Sequence, residues 1–178
     1  CAKRLIGKEP FAVILPDMLI SKNNGNAGGS LKEMRLNFDK YEISSILLGK
    51  AKKADIPKYG IAQLKRNPKF AGLGLIERII EKPSIKKAPS NLYAVGRYIF
   101  NNDFFKYLSK VKPDKSNEIQ LTDAIDQYIR DGKEVNAFLL EGDVFDCGDD
   151  TEYILANLEF AMKDPEMKVK IKKYLKTR

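Results

Sequence analysis

An α/β fold with a mixed sheet is predicted by three features of this 178-residue sequence. Short apolar runs of strand length alternate with stretches of helical period from one end to the other. The breaks between them fall at Gly, Pro, Asn and Asp, the residues that turn a chain. The composition, 43% apolar with 12 Gly and 8 Pro, is too apolar for disorder and too poor in Gly and Pro for a fibrous chain.

Each element follows in order. Ala2 to Ile6 reads as the last turns of a helix closed by Gly7, which suggests a C-terminal piece of a longer chain. Pro10 to Leu15 is a continuous apolar run of the kind found in fully buried strands of parallel sheets, and Pro16-Asp17 ends it. Ser21 to Ser30 is a Gly/Asn-rich loop, Leu31 to Phe38 a helix, and Glu42 to Leu48 a strand. Asp55 to Gly60 forms a turn before a strand near Ile61 to Leu64. The strand over Leu75 to Ile80 stops at Glu81-Lys82-Pro83, because proline cannot continue a central ladder. Asn91 to Phe100 is a further strand, and Asn101 is placed to cap a helix through Leu108. Asn117 is placed to cap the next helix, whose apolar face is Leu121, Ile125, Tyr128 and Ile129 and which Gly132 closes. Short strands follow at Val135 to Leu140 and Val144-Phe145. Asp149-x-x-Glu152 is a capping box opening a helix that Pro165 ends.

The sequence has no histidine, which removes Ser-His-Asp and Cys-His catalysis and every His-containing zinc site. Cys1 and Cys147 form no C-x-x-C, so a disulfide-free cytoplasmic protein is expected. Phe11 to Leu15, the longest apolar run, is far too short to span a bilayer. Of the net charge of +8, residues 165–178 carry +5, with Lys168, Lys170, Lys172, Lys173, Lys176 and Arg178 against Glu166. The expectation is a basic helical tail whose Met167, Ile171, Tyr174 and Leu175 pack on something. The remaining body is near balance, so neither nucleic acid nor membrane is an expected partner.

Three constellations carry chemistry. Asp17 follows a strand, where ligands of open α/β sheets bind; it can hold Mg²⁺ against a phosphate, or merely begin a turn. Glu81 and Lys82 sit together at a strand end, with Pro83 able to turn both toward one ligand; a surface ion pair is the alternative. Asp146, Asp149 and Asp150 crowd a strand-to-helix turn, where Asp149 or Asp150 serves as a cap and Asp146 is left as a possible metal ligand. Cys147 beside them lacks a base and reads as a packed residue. The polar cluster Asn117 to Ala124 is cap chemistry, or lines a cleft or a subunit contact.

Taken in order, Pro10-Phe-Ala-Val-Ile-Leu-Pro-Asp17, Tyr59-Gly-Ile-Ala62, Glu81-Lys-Pro83, Ala88-Pro-Ser-Asn-Leu92, Val95-Gly-Arg-Tyr98, Glu118-Ile-Gln-Leu-Thr-Asp-Ala124 and Asp146-Cys-Gly148 resemble the bacterial UTP–glucose-1-phosphate uridylyltransferases, or UDP-glucose pyrophosphorylases. The resemblance implies a Rossmann-like nucleotidyltransferase fold with a mixed, mostly parallel sheet, and a Mg²⁺-dependent reaction of UTP with glucose 1-phosphate giving UDP-glucose and diphosphate. By position, Asp17 resembles the catalytic Mg²⁺-binding aspartate, and Asp146 the aspartate that serves as second metal ligand in related thymidylyltransferases. Gly60 resembles the glycine whose backbone meets the glucose ring, Glu81 the sugar-hydroxyl acceptor, and Lys82 the catalytic lysine on the sugar-side phosphate. Val95 and Gly96, with Ala94, would border the sugar by main-chain contacts. A homodimer or homotetramer is the implied assembly.

The departure is large. The G-x-G-T-R loop and the uracil-contacting Gln and Gly-Leu-Gly-His of that family do not occur here. Residues 1–164 are therefore expected to be the metal and sugar-phosphate part of a single nucleotidyltransferase domain, with residues 165–178 as the tail. Alone, the chain is expected to be inactive. The alternative is a truncated, non-catalytic homologue that binds sugar phosphate or a full-length partner.

Overall fold

A computed structural model of the chain describes residues 2–21, 29–67, 69, 72–114 and 117–177. In chain order its elements are α1 (Lys3–Ile6), β1 (Phe11–Ile14), β2 (Met18–Ser21), α2 (Gly29–Tyr41), β3 (Ser44–Lys50), β4 (Ile61–Lys65), β5 (Gly74–Ile80), β6 (Leu92–Phe100), α3 (Phe105–Leu108), α4 (Leu121–Arg130), β7 (Val135–Leu139), β8 (Asp143–Asp146), α5 (Asp150–Lys163) and α6 (Pro165–Lys176). They fall into two compact units, one of Cys1–Ile14 with Gly28–Leu140 and one of Leu15–Ala27 with Glu141–Arg178. The loop expected over Ser21 to Ser30 lies outside the described residues at 22–28.

The first unit is built on a six-stranded sheet of order β1-β6-β3-β7-β5-β4, with β4 also pairing β6. The sheet is mixed, as expected, and in this chain most of its pairings are antiparallel. Among the described residues only β3 and β7 run parallel, while β1–β6, β3–β6, β4–β5, β4–β6 and β5–β7 are antiparallel. The short return from β4 to β5 explains part of this, since a crossover to a parallel neighbour needs about a dozen residues or more.

The apolar side chains of β3, β5, β6 and β7 meet those of α4 in one core containing Ile46, Leu48, Ile76, Ile79, Phe100, Phe104, Ile125, Tyr128 and Val135. Phe100 stacks on Phe104 with ring centroids 3.8 Å apart, and Tyr128 meets Phe104 edge-on. The buried Tyr128 hydroxyl is satisfied by donating to Asp103 Oδ1 at 3.1 Å. Phe11 to Leu15 is not a fully buried strand. Its strand, β1, pairs only β6 among the described residues, with Phe11 and Val13 half-buried and Ala12 and Ile14 exposed. That alternation is the mark of an edge strand with one face on the core.

Two expected caps are also corrected. Asn101 makes no capping bond; its Nδ2 donates to the Glu42 carbonyl at 2.7 Å. Asn117 adopts φ +62°, and Gln120 is the residue preceding α4. Asparagine tolerates the left-handed region, so it turns the chain here instead of capping it.

In the second unit β2 pairs β8 antiparallel. Asp149 caps α5 as expected, its carboxylate accepting from the Thr151 and Glu152 amides. Asp164 caps α6 in the same way, accepting from Met167 N, with Pro165 in the first turn. The tail is thus helical over Pro165–Lys176, but Ile171 is only half-buried and Met167, Tyr174 and Leu175 are exposed. No helix among the described residues is long and apolar enough to cross a membrane.

Candidate functional site

In the first unit, strand ends gather the expected sugar-side residues. Gly60 leads into β4, and its carbonyl accepts from Ala94 N at 3.0 Å, which holds the β6 backbone against it. Across β5, Lys82 N donates to the Tyr59 carbonyl at 3.0 Å, bringing Glu81 and Lys82 beside the same turn. Lys82 has φ +43°, a left-handed conformation uncommon outside glycine and asparagine. It puts Lys82 Nζ 4.0 Å from Glu81 Oε1. The turn at Pro83 therefore lets two neighbouring side chains that a strand would send to opposite faces converge.

Glu81 is further tied to α4, because Thr122 Oγ1 donates to Glu81 Oε2 at 2.8 Å. Gly60 must be glycine here. A Cβ on it would lie 2.6 Å from Thr122 Cγ2 and 3.0 Å from Glu81 Oε2. In β6 the ladder to β3 breaks: Tyr98 pairs Ile46 and Ala94 pairs Leu48, so Val95, Gly96 and Arg97 together oppose Leu47. Gly96 takes φ +68° at this bulge. Bulges free backbone groups from a ladder and recur beside binding sites. The Val95 side chain is fully buried, so only its main chain is available to a ligand. The buried Tyr98 phenol is pushed well above its ordinary pKa by burial and then by the Glu81 charge.

In the second unit the β2–β8 register sets Met18 opposite Asp146, and Cys147 N donates to the Asp17 carbonyl at 2.9 Å. Asp17 and Asp146, far apart in sequence, are thereby neighbours. Asp146 Oδ1 also accepts from Gly148 N at 3.2 Å, which fixes the turn. The Cys147 thiol is held above its usual pKa by burial, then by Asp146, Asp17 and Glu152, so it stays protonated and is no nucleophile. Among the described residues no group of three or more His, Cys, Asp or Glu side chains could hold a metal by itself.

Thr122 escaped the sequence reading as an individual residue. Its signal was a hydroxyl three residues before Ile125, on the apolar stripe of α4, where burial demands a partner.

The family described as "Nucleotidyl transferase" matches residues 1–163. The chain belongs to the nucleotidyl transferase family. Within curated relatives of this family, it is 36% identical over 178 residues to a UTP–glucose-1-phosphate uridylyltransferase of Haemophilus ducreyi, covering 99% of this chain and 60% of that protein. A UDP-glucose pyrophosphorylase solved in complex with UDP-glucose superposes with a TM-score of 0.82 at 36% identity, over 92% of this chain and 60% of that one. The UTP-bound enzyme of Acinetobacter baumannii matches with a TM-score of 0.81 at 30% identity, over 98% of this chain and 59% of that one. The chain thus spans about 60% of the length of the curated relative it matches. Its nucleotidyl transferase fold, α/β with a mixed sheet, agrees with the fold class read from the sequence.

Proposed function

We propose that the protein is a UTP–glucose-1-phosphate uridylyltransferase and that this chain supplies its sugar-phosphate and metal groups. The observation that carries the reading is the cluster of Gly60, Glu81, Lys82 and the Gly96 bulge, seen beside 36% identity to a relative of that activity. Glu81 accepts from sugar hydroxyls, and the backbone at Gly60, Val95 and Gly96 borders the ring. Lys82 neutralises the phosphate of glucose 1-phosphate. That phosphate is already an anionic nucleophile at neutral pH, so the absence of histidine costs nothing. Rate then comes from aligning its oxygen with the α-phosphorus of UTP and offsetting charge.

Asp17 and Asp146 are hard oxygen donors whose backbones the β2–β8 pairing brings close together, beside Cys147. This set fits Mg²⁺, which takes one or two carboxylates and completes its shell with substrate phosphates and water. Bound there, Mg²⁺ would offset the charge of the nucleotide phosphates and the departing diphosphate. Residues 1–164 belong to one nucleotidyltransferase domain in this reading, with 165–178 as a basic tail, in a cytoplasmic protein. A homodimer or homotetramer is the assembly that belongs to this reading.

A second reading is a non-catalytic homologue that binds sugar phosphate or a full-length partner. Diphosphate release from UTP and glucose 1-phosphate with Mg²⁺, measured on the full-length encoded protein, separates the two. Turnover supports the transferase. Glucose 1-phosphate binding without turnover supports the homologue.

A further inference from the structure

A glutamate at a strand end has several staggered rotamers open to it, and left alone it spends little of its time in any one. Glu81 is not left alone. Its Oε2 accepts from Thr122 Oγ1 at 2.8 Å, while Oε1 faces Lys82 Nζ at 4.0 Å. A carboxylate is acceptor-only, so the direction of the Thr122 bond is fixed. A threonine in the first turn of a helix ordinarily turns its hydroxyl to its own backbone. Thr122 instead reaches a residue 41 positions away.

Thr122 is itself immobilised. It is 6% exposed, its β-branched side chain is stiff at χ1, and α4 is anchored behind it by the fully buried Ala124 and Ile125. The space beside its methyl is kept by Gly60, where a Cβ would lie 2.6 Å from Cγ2. Three residues from three parts of the chain thus interlock around one carboxylate.

We propose that Thr122 is a positioning residue for sugar recognition: its hydroxyl ties down Glu81 Oε2 so that Oε1 stays presented to the hydroxyls of glucose 1-phosphate. The inference rests on the reading of Glu81 as the sugar acceptor. It predicts a loss confined to the sugar substrate. A carboxylate free to rotate binds the sugar less well, but the nucleotide does not feel the change.

The test is steady-state kinetics on the full-length protein, with each substrate varied in turn. Thr122→Val removes the hydroxyl and keeps the shape. It is expected to raise KM for glucose 1-phosphate on the order of tenfold, the scale of a hydrogen bond to a charged group, and to leave KM for UTP unchanged. Thr122→Ser restores the hydroxyl and is expected to recover the wild-type KM. In Glu81→Gln, adding Thr122→Val should bring no further loss, because the two act as one unit. If Glu81→Gln raises the sugar KM and Thr122→Val does not, the inference is overturned and the acceptor reading stands. If Glu81→Gln leaves the sugar KM alone, the acceptor reading falls and this inference with it. Thermal melts run alongside. Loss of the folded state in both Thr122→Val and Thr122→Ala would mark the residue as structural and overturn the proposal.

Discussion

Gly60→Ala adds a single methyl group at the most crowded point of the sugar-side cluster. The new Cβ would lie 2.6 Å from Thr122 Cγ2, 3.0 Å from Glu81 Oε2 and 3.6 Å from Ile79 Cδ1. Carbon atoms pack best at about 3.5–4.0 Å, so the overlap with Thr122 is on the order of 1 Å. Little around it can yield. The Gly60 carbonyl is held by Ala94 N, Thr122 is buried, and rotating Thr122 away breaks its bond to Glu81. Overpacking of this kind costs roughly 1–3 kcal/mol. At about 2–4 °C per kcal/mol for a chain of this size, Tm should fall by roughly 2–12 °C. KM for glucose 1-phosphate should rise in step, because the same movement unseats Glu81. Calorimetry and steady-state kinetics on the full-length protein read the two effects. Gly132→Ala is the control: nothing lies within 4 Å of its Cβ, and its φ of +83° makes it pay strain alone, with the sugar KM untouched. A Gly60→Ala protein with wild-type Tm and KM would refute the claim that glycine is required by its neighbours.

Asp17→Asn should lower kcat by about two orders of magnitude or more, since losing one charge that holds a metal costs a few kcal/mol and each ~1.4 kcal/mol is tenfold; near-normal turnover at saturating Mg²⁺ would contradict its role. Residues 1–178 alone should form no UDP-glucose and bind UTP weakly by equilibrium dialysis, because the sequence offers no Gly-rich loop of backbone N–H groups to a triphosphate. Burial raises the Tyr98 pKa above its ordinary 10.0, so the folded state keeps a proton that the unfolded state sheds. Its contribution to stability is then intact below about pH 10 and declines above it, and melts from pH 9 to 11 should show Tm dropping only across the upper part of that range.

Several residues of this candidate site could be nominated before any coordinates. Glu81-Lys82-Pro83 was legible as a stopped strand end, because proline ends β5 there, but the residues alone also fitted a surface ion pair and only the family resemblance singled them out. The Asp149 cap was legible because capping is local, settled within three residues. What failed was not local. β2 is four residues long and vanished between a turn and a polar stretch. Thr122 was invisible as a functional residue because its partner is 41 positions away, and no spacing rule links a helix start to that strand end. Asp17 and Asp146 could be nominated singly, but only the β2–β8 register shows that their backbones lie close together.

That register has a consequence for how the protein acquires its chemistry over time. The second unit is assembled from two stretches, Leu15–Ala27 and Glu141–Arg178, with the whole of Gly28–Leu140 emerging between them. During synthesis the Glu81–Thr122 contact is available as soon as α4 has formed, while Asp17 waits for β8. Closing so long a loop is entropically costly and slow compared with forming hairpins such as β4–β5. Polypeptides halted near Leu140 would hold every sugar-side residue named above and neither a partner for β2 nor the second carboxylate. The two acids would thus come near one another only after β8 has been made and has paired with β2.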